Sequence, residues 1–444
     1  MDDAEKIRNF ENLTFEEKCE LTGQQVEDFL NDAIPLNYAL TIRKENSLNL
    51  IKNIVELLHH KKLCTRTQRL GNHLNVLLAN LFKSGRVKMT SYVYYSASPN
   101  EYKYVKRYNP FNISFRPLMA VIDALIKVNL VEYHRGIYRR EKKKGKRSRI
   151  KSTSKLYDLF LNHDINAQNL FKLYQDPIRL KDKRKRLTEY NETRARLRMR
   201  NTVIKYNKRL NKSSIELPLT NAITSMIDEK VIDFSNQSYY RSFNDGSFKL
   251  GGRFYGPWYQ SVNEEVRSHI LINKKKVVEL DYSSLHMHLL YSWKSIDYHQ
   301  LYGADYDAYI IEGFENDRKI VKTAFLIALN MKTKRNFPQA VTSVIKDKEY
   351  FRKGIDYKGI LNAFEINHPK IKDYMFSGIG KKLQYLDSCI AEYIIKRMTR
   401  LAIPVLCIHD SFITDYSNKN VLEDIMYESF KYHKLKSIPK ISVK

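Results

Sequence analysis

The sequence predicts an α+β chain: a mainly helical, strongly basic N-terminal region followed by a sheet that carries the chemistry. Three observations predict it. Apolar residues recur at helical spacing in the N-terminal third of the chain, between Leu48 and Leu125. Two later runs, Val277 to Leu280 and Val405 to Ile408, have the apolar character of buried strands, and each leads into an aspartate. Basic blocks crowd the region between. With 444 residues, 43% hydrophobic and 12% aromatic, the chain has material for more than one core.

Lys and Arg number 77 against 49 acidic residues, a formal charge of +28. Such an excess repels itself unless a polyanion lies nearby, so nucleic acid is the first partner expected. No stretch is long and apolar enough to span a bilayer, and no membrane role is expected. The start, Met1 to Leu13, is acidic and polar, unlike a signal peptide. Cys19, Cys64, Cys389 and Cys407 lack metal-ligand spacing and fit a reducing compartment. The expected location is the cytoplasm, at the nucleoid if the source is bacterial. Protein partners are not indicated.

Residues 1–62 read as a helical segment, with Leu48, Leu50, Ile51, Ile54, Leu57 and Leu58 at helical spacing. In 63–160, Leu74, Leu77, Leu78 and Leu81 form one helical stripe. Leu118, Val121, Ile122 and Leu125 form another, after Ser114 as N-cap and Pro117 in the first turn. Leu130 to Tyr138 alternates like a strand. Residues 139–151 follow, nine of thirteen basic, with a return strand at 149–152 closing a hairpin around Gly145. Helix, helix, strand, basic turn, strand resembles a winged helix, whose wing (Arg147, Arg149) would hold phosphates. A solvated basic loop is the plainer alternative. Residues 161–235 read as a basic, thumb-like arm, with helices expected at 179–187 and 194–200. Arg194, Arg198 and Lys205 would share one face of the second helix and Leu197 and Ile204 another.

The chemistry begins near 240, where 236–444 is expected to form the last domain. Asp281 ends the first apolar strand, and Ser283 to Tyr291 turns helical. His409 and Asp410 form a tight corner between Pro404–Ile408 and a return strand. Two carboxylates on adjacent strands could share two divalent metals, the arrangement that phosphoryl transfer needs. Between them, 318–330 reads as a helix in which Arg318, Lys322, Leu326 and Asn330 follow one face, a cationic surface for a triphosphate. His286 and His288 face apart on a helix, so zinc is not expected.

These segments resemble the motifs of family A DNA polymerases and single-subunit RNA polymerases. Asp281 to His286 is similar to motif A, Arg318 and Lys322 to motif B, and His409-Asp410-Ser411 to motif C. With Phe412, the last is nearer to the RNA polymerases than to the usual His-Asp-Glu of the DNA enzymes. Gly251 to Gln260, with Arg267 following, resembles the Gly-Arg segment before motif A. Glu392 to Arg397 resembles the helix before motif C. The resemblance covers about 240–416. It implies a right-hand palm, an antiparallel sheet with helices and trimmed fingers. It also implies roles. Asp281, Asp410 and the Tyr282 carbonyl would bind two Mg2+ or Mn2+ ions. Lys322 and Arg318 would hold the nucleoside triphosphate, with Leu326, Asn330 and His286 around it. Arg253, Gln260 and His409 would meet the primer–template duplex, taken to be DNA, and Arg198 its backbone.

The pattern departs from the family in three places. His286 stands where DNA enzymes carry Glu, and Asn330 where both groups carry Tyr. The stretches from Asp281 to Lys322 and from Lys322 to Asp410 are both short. The expected activity is a compact DNA polymerase, as in a mobile element or plasmid. A primase or RNA polymerase using ribonucleotides, or a catalytically inactive replication initiator, are the alternatives.

Overall fold

The computed structural model describes residues 33–444 apart from 62, 64–66, 88–90, 103–104, 140–143, 174, 228–231 and 347–353. Of the helical segment expected over 1–62, residues 1–32 lie outside those described, and in the rest two short strands, Ala33–Pro35 and Leu40–Ile42, precede a helix at Lys44–His60. The chain divides into two compact units, one of residues 1–175 and 220–233, the other of 176–219 and 234–444. Helix and sheet are mixed in both.

The first unit holds helices α1 (Lys44–His60), α2 (Thr67–Val87), α3 (Phe115–Lys127) and α4 (Ser154–Asn162). Its main sheet has the order β1-β3-β7-β4, from Ala33–Pro35, Tyr92–Tyr94, Arg149–Ser152 and Val131–His134. A second pair joins β2 (Leu40–Ile42) to β8 (Leu170–Lys172). The expected stripes do form the core: Leu50, Ile54, Leu74, Leu77, Leu81, Leu118, Val121 and Leu125 are buried together. Leu48 instead faces solvent. Ser114 precedes α3 but its side chain makes no capping bond. The basic segment differs in detail from expectation. It is a hairpin of its own, β5 (Ile137–Arg139) with β6 (Lys144–Lys146), and Gly145 pairs with Tyr138 inside it rather than turning it.

The second unit opens on strands where a helix is expected. Residues 179–187 are not helical: β9 (Ile178–Lys181) turns into β10 (Leu187–Thr188). Arg and Lys favour helices, but the Asp182 carboxylate accepts from the amides of Arg184 and Arg186, both at 2.9 Å, and fixes a turn. Helix α5 (Arg194–Leu210) is as expected, capped by Thr193. Its buried face is Val203, Tyr206 and Leu210, whereas Leu197 and Ile204 remain exposed. A four-stranded sheet runs β10-β9-β12-β13, with β12 (Tyr240–Asn244) and β13 (Ser247–Tyr255) antiparallel. The larger sheet follows the order β11-β14-β15-β17-β16, from Ile215–Glu216, Leu271–Ile272, Lys275–Tyr282, Ser411–Asp415 and Leu406–Ile408. Strand β18 (Ile441–Val443) also pairs with β15. Around these lie α6 (Leu285–Trp293), α7 (Arg318–Asn330), α8 (Phe337–Lys346), α9 (Tyr357–Asn367), α10 (Gly380–Arg400) and α11 (Lys419–Tyr432).

Helix α10 lies directly on β13. Gly252, at φ +86°, would place a β-carbon 2.7 Å from Ser388 Oγ, so only glycine permits the approach. Beside it the buried Arg241 ties three elements together, donating to Gly252 O at 2.8 Å, Ser388 Oγ at 3.1 Å and Glu392 at 2.6 Å.

Tyr291, Tyr298, Tyr302 and Tyr306 surround the fully buried His368. Its ring meets Tyr291 Oη at 3.0 Å and Ala308 O at 2.9 Å, and burial pushes its pKa down to about 4. The folded pKa lies below the ordinary value of 6.5. The stability it contributes is therefore complete above that value and is lost as pH falls towards about 4. The unfolding free energy from urea titration should drop across this window by on the order of 2 kcal/mol, and His368→Gln should flatten the drop.

Candidate active site

The carboxylates come together through strand register. Val277 to Asp281 on β15 pair antiparallel with Asp415 to Ser411 on β17, so Asp281 faces Ser411. Ile408 faces Ser411 across the β16–β17 hairpin, which leaves His409 and Asp410 as a two-residue turn. His409 supplies the positive φ, +70°, that such a turn requires. Asp410 therefore stands one residue from the cross-strand partner of Asp281, at the same end of the sheet.

Their electrostatics reflect the proximity. Asp281 is pushed up to about 6, first by burial and then by the charge of Asp410, while Lys444 and Lys322 oppose the shift. Lys444 Nζ lies 3.0 Å from Asp281 Oδ2. Two partly buried carboxylates at one end of a sheet offer hard oxygen donors, of the kind that suit Mg2+ or Mn2+. Among the described residues there is no cluster of three His, Cys, Asp or Glu side chains able to hold a metal. The Tyr282 ring turns into the core, where its hydroxyl donates to Met426 O at 2.7 Å, so any ligand from this residue would be its carbonyl.

A second set of residues supports the first. Glu279, on β15, receives both arms of Arg267, at 2.8 and 2.9 Å, and the Ser411 hydroxyl at 2.6 Å. This buried clamp ties β15 to the residue beside Asp410. Arg253, on β13, donates to Asp387 Oδ2 of α10 at 2.6 Å. Asp387 is fully buried and pushed up to about 6, by burial and by Asp410, with Arg253 opposing. His286 is pushed down to about 4 by burial and by Arg253, with Asp410 opposing and Lys322 adding to the fall. His409 is likewise lowered to about 4 by burial and Arg253, and its ring packs 5.1 Å from Tyr255. Both imidazoles are neutral at neutral pH.

On α7, Lys322 and Arg318 are exposed, and each cation lies 5.8 Å from the ring of buried Tyr309. Arg318 is also paired with Asp307 at 2.7 Å. Leu326 is half-buried, and the Asn330 amide turns back to Leu326 O at 2.7 Å.

The structure thus gathers Asp281, Asp410, Lys322, His286, His409 and Arg253 into one electrostatic neighbourhood. Gln260 is engaged otherwise: its side chain bonds Phe254 O, Cys407 O and Gly256 N at 2.8–3.0 Å, bracing the β16 strand. Arg147 and Arg149 belong to the first unit, where Arg147 pairs with Glu101 at 3.0 Å and Arg149 is buried. Arg198 lines a separate groove on α5.

No family model matches the chain, and no curated protein matches it. Solved structures do. One is the POL domain of Pol1 from M. smegmatis in complex with DNA primer-template and dNTP. Identity is 12%, the match covers 56% of this chain and 51% of that one, and the TM-score is 0.31. The chain therefore spans about half the length of that neighbour. A likeness this slight carries no argument about residues or mechanism.

Sequence reasoning missed Asp387, Lys444, Tyr309 and Glu279. Asp387 had a signal: it interrupts the buried helical stripe of Leu383, Ile390 and Ile394 on α10. A lone acid at a core position needs a partner. Lys444 had none, since its contact with Asp281 depends on the pairing of β18 with β15. Its ammonium would compete with any cation for Asp281. Lys444→Met should therefore tighten Mn2+ binding by about threefold or more, measured by paramagnetic titration.

Proposed function

We propose that the chain is a template-directed nucleotidyltransferase, a compact DNA polymerase that extends a primer 3′ end with two Mg2+ or Mn2+ ions. The observation that carries the proposal is the meeting of Asp281, on β15, with Asp410, in the turn between β16 and β17, with Lys322 in electrostatic reach. Asp281 and Asp410 would hold the ions, with the Tyr282 carbonyl beside them. When bound, the ions supply charge neutralisation for the attacking hydroxyl and the phosphates.

The remaining roles belong to the chain's own residues. Lys322 and Arg318 hold the triphosphate, Arg318 exchanging Asp307 for a phosphate oxygen. Arg253, held by Asp387, and neutral His409 orient the primer end. Neutral His286 occupies the position from which the sugar is sensed, and its bulk favours deoxynucleotides. Leu326 and Asn330 continue the nucleotide-binding face of α7. In the first unit, residues 63–160 act as a winged-helix-like module whose basic hairpin holds duplex phosphates.

The test is extension of a labelled primer–template by the purified chain, with Mg2+ or Mn2+ and with dNTPs and NTPs in separate reactions. Extension with dNTPs that disappears in Asp281→Ala and Asp410→Ala supports the proposal. Extension with NTPs alone would make the enzyme an RNA polymerase or primase. No incorporation with any substrate, together with tight duplex binding, would leave a palm used only for binding.

A further inference from the structure

We propose that the second unit carries a separate site for single-stranded nucleic acid, a groove between α5 and the C-terminal half of α10, with α11 as its rim. The proposal does not depend on Asp281 and Asp410 being catalytic.

The groove has a volume of about 460 Å3. Helix α5 contributes Arg198 and Lys205, two turns apart on one stripe, and α10 contributes Lys396, Arg397 and Arg400. Arg198, Lys205 and Arg400 make no ion pair among the described residues. Lys396 pairs with Glu392 at 2.6 Å and Arg397 with Glu428 at 3.2 Å, leaving an excess of positive charge. A solvated face would carry such charges on extended, hydrated side chains. Here the wall is instead partly dry: Arg397 Nε and Thr399 Oγ1 are buried without a hydrogen-bond partner among the described residues. Unpaired cations lining a groove call for acceptors from outside, and phosphate oxygens supply them.

The second observation is aromatic. Tyr393 and Tyr432 pack with ring centres 4.7 Å apart at the groove, and Tyr432 is 66% exposed. An exposed aromatic face beside a cationic track is the combination that grips unpaired strands, with phosphates on the cations and a base on the ring. Duplex bases are stacked on each other and cannot use such a face. The volume suits about one or two nucleotides along a longer strand.

Position separates this groove from the carboxylates. Helix α10 reaches the Asp410 neighbourhood at Asp387, whereas Tyr393 to Arg400 lie further along it, towards its C-terminal end. The separation is about 9–20 Å down the helix axis. A strand in the groove would therefore be held apart from the proposed chemistry.

The experiment measures binding of a fluorescein-labelled oligothymidylate to the full chain by anisotropy over a range of salt. A duplex of equal length and labelled ATP are compared, all in an Asp410→Ala background so that no turnover occurs. The triple substitution Arg198→Ala, Lys205→Ala, Arg400→Ala is expected to weaken oligothymidylate binding at least tenfold. It should reduce the salt slope by about 2, at about 0.7 per lost phosphate contact on a single strand. Tyr432→Ala should weaken binding at least about fivefold, with Tyr432→Phe restoring it. Oligonucleotides carrying 4-thiothymidine should crosslink to the peptides bearing Tyr393 and Tyr432. Unchanged oligothymidylate affinity and slope in the triple variant, with an unchanged urea midpoint, would overturn the proposal. So would an equal loss for ATP, which would make the groove a mononucleotide site, or a loss confined to duplex. Because binding is read without turnover, a failed extension assay and a failed groove remain distinguishable.

Discussion

In the polymerase proposed above, Asp281→Ala and Asp410→Ala will each lower nucleotide incorporation by at least about a thousandfold, the loss of about 4 kcal/mol of transition-state stabilisation expected where a carboxylate holds a catalytic ion. The fold will not suffer with it. Asp281 is already disfavoured as an anion, pushed up to about 6 by its burial and by Asp410. Removing either carboxylate relieves that repulsion, so the metal-free variants will unfold in urea at midpoints no lower than the parent's. This combination, stability kept and activity abolished, marks residues retained for chemistry. A variant that lost both together would assign the two aspartates to the architecture of the β-hairpin. Steady-state extension and urea titration on the same preparations separate the two outcomes.

Arg267→Leu will destabilise the second unit by about 3–5 kcal/mol, because it leaves Glu279 charged and buried without its partner. Arg267 is 9% exposed and Glu279 6%. The guanidinium makes two bonds to the carboxylate and a third, at 2.9 Å, to Val262 O. The companion double variant, Arg267→Leu with Glu279→Leu, will recover most of that loss, since two apolar side chains need no desolvated charge. It will not recover activity in full. The Ser411 hydroxyl donates to Glu279 Oε1, and without that acceptor the residue joining Asp410 to β17 loses its anchor. Urea midpoints for the three chains, read beside their extension rates, give the split between support and positioning.

What could be read from the sequence was local. Val277, Val278 and Leu280 announce a buried strand by themselves, and β15 ends at Tyr282, one residue beyond Asp281. Apolar spacing likewise found α7 with its bounds, since a helix of this length shows its period plainly. The misread segment, 179–187, failed because helix propensity is weak against one side chain: Asp182 folds the backbone back on itself. The second layer of the candidate site was hidden for a different reason. Arg253 with Asp387 and Lys444 with Asp281 join residues far apart in the chain, and no local pattern encodes such pairings. Even Gln260, whose resemblance pointed towards nucleic acid, is occupied by backbone groups that only the folded β16 brings to it.

The pairing of β15 with β17 has a kinetic consequence. Asp281 and Ser411 become neighbours only when the whole chain between them, α6 to α10 included, has been closed into a loop. Closure on that scale is entropically costly before any contact rewards it, and long-range strand pairing is accordingly slow. The helices within the loop need not wait for it. A partly folded chain can therefore display most of its helical signal while the two aspartates are still unacquainted, and the paired carboxylates come together only with the last stage of assembly.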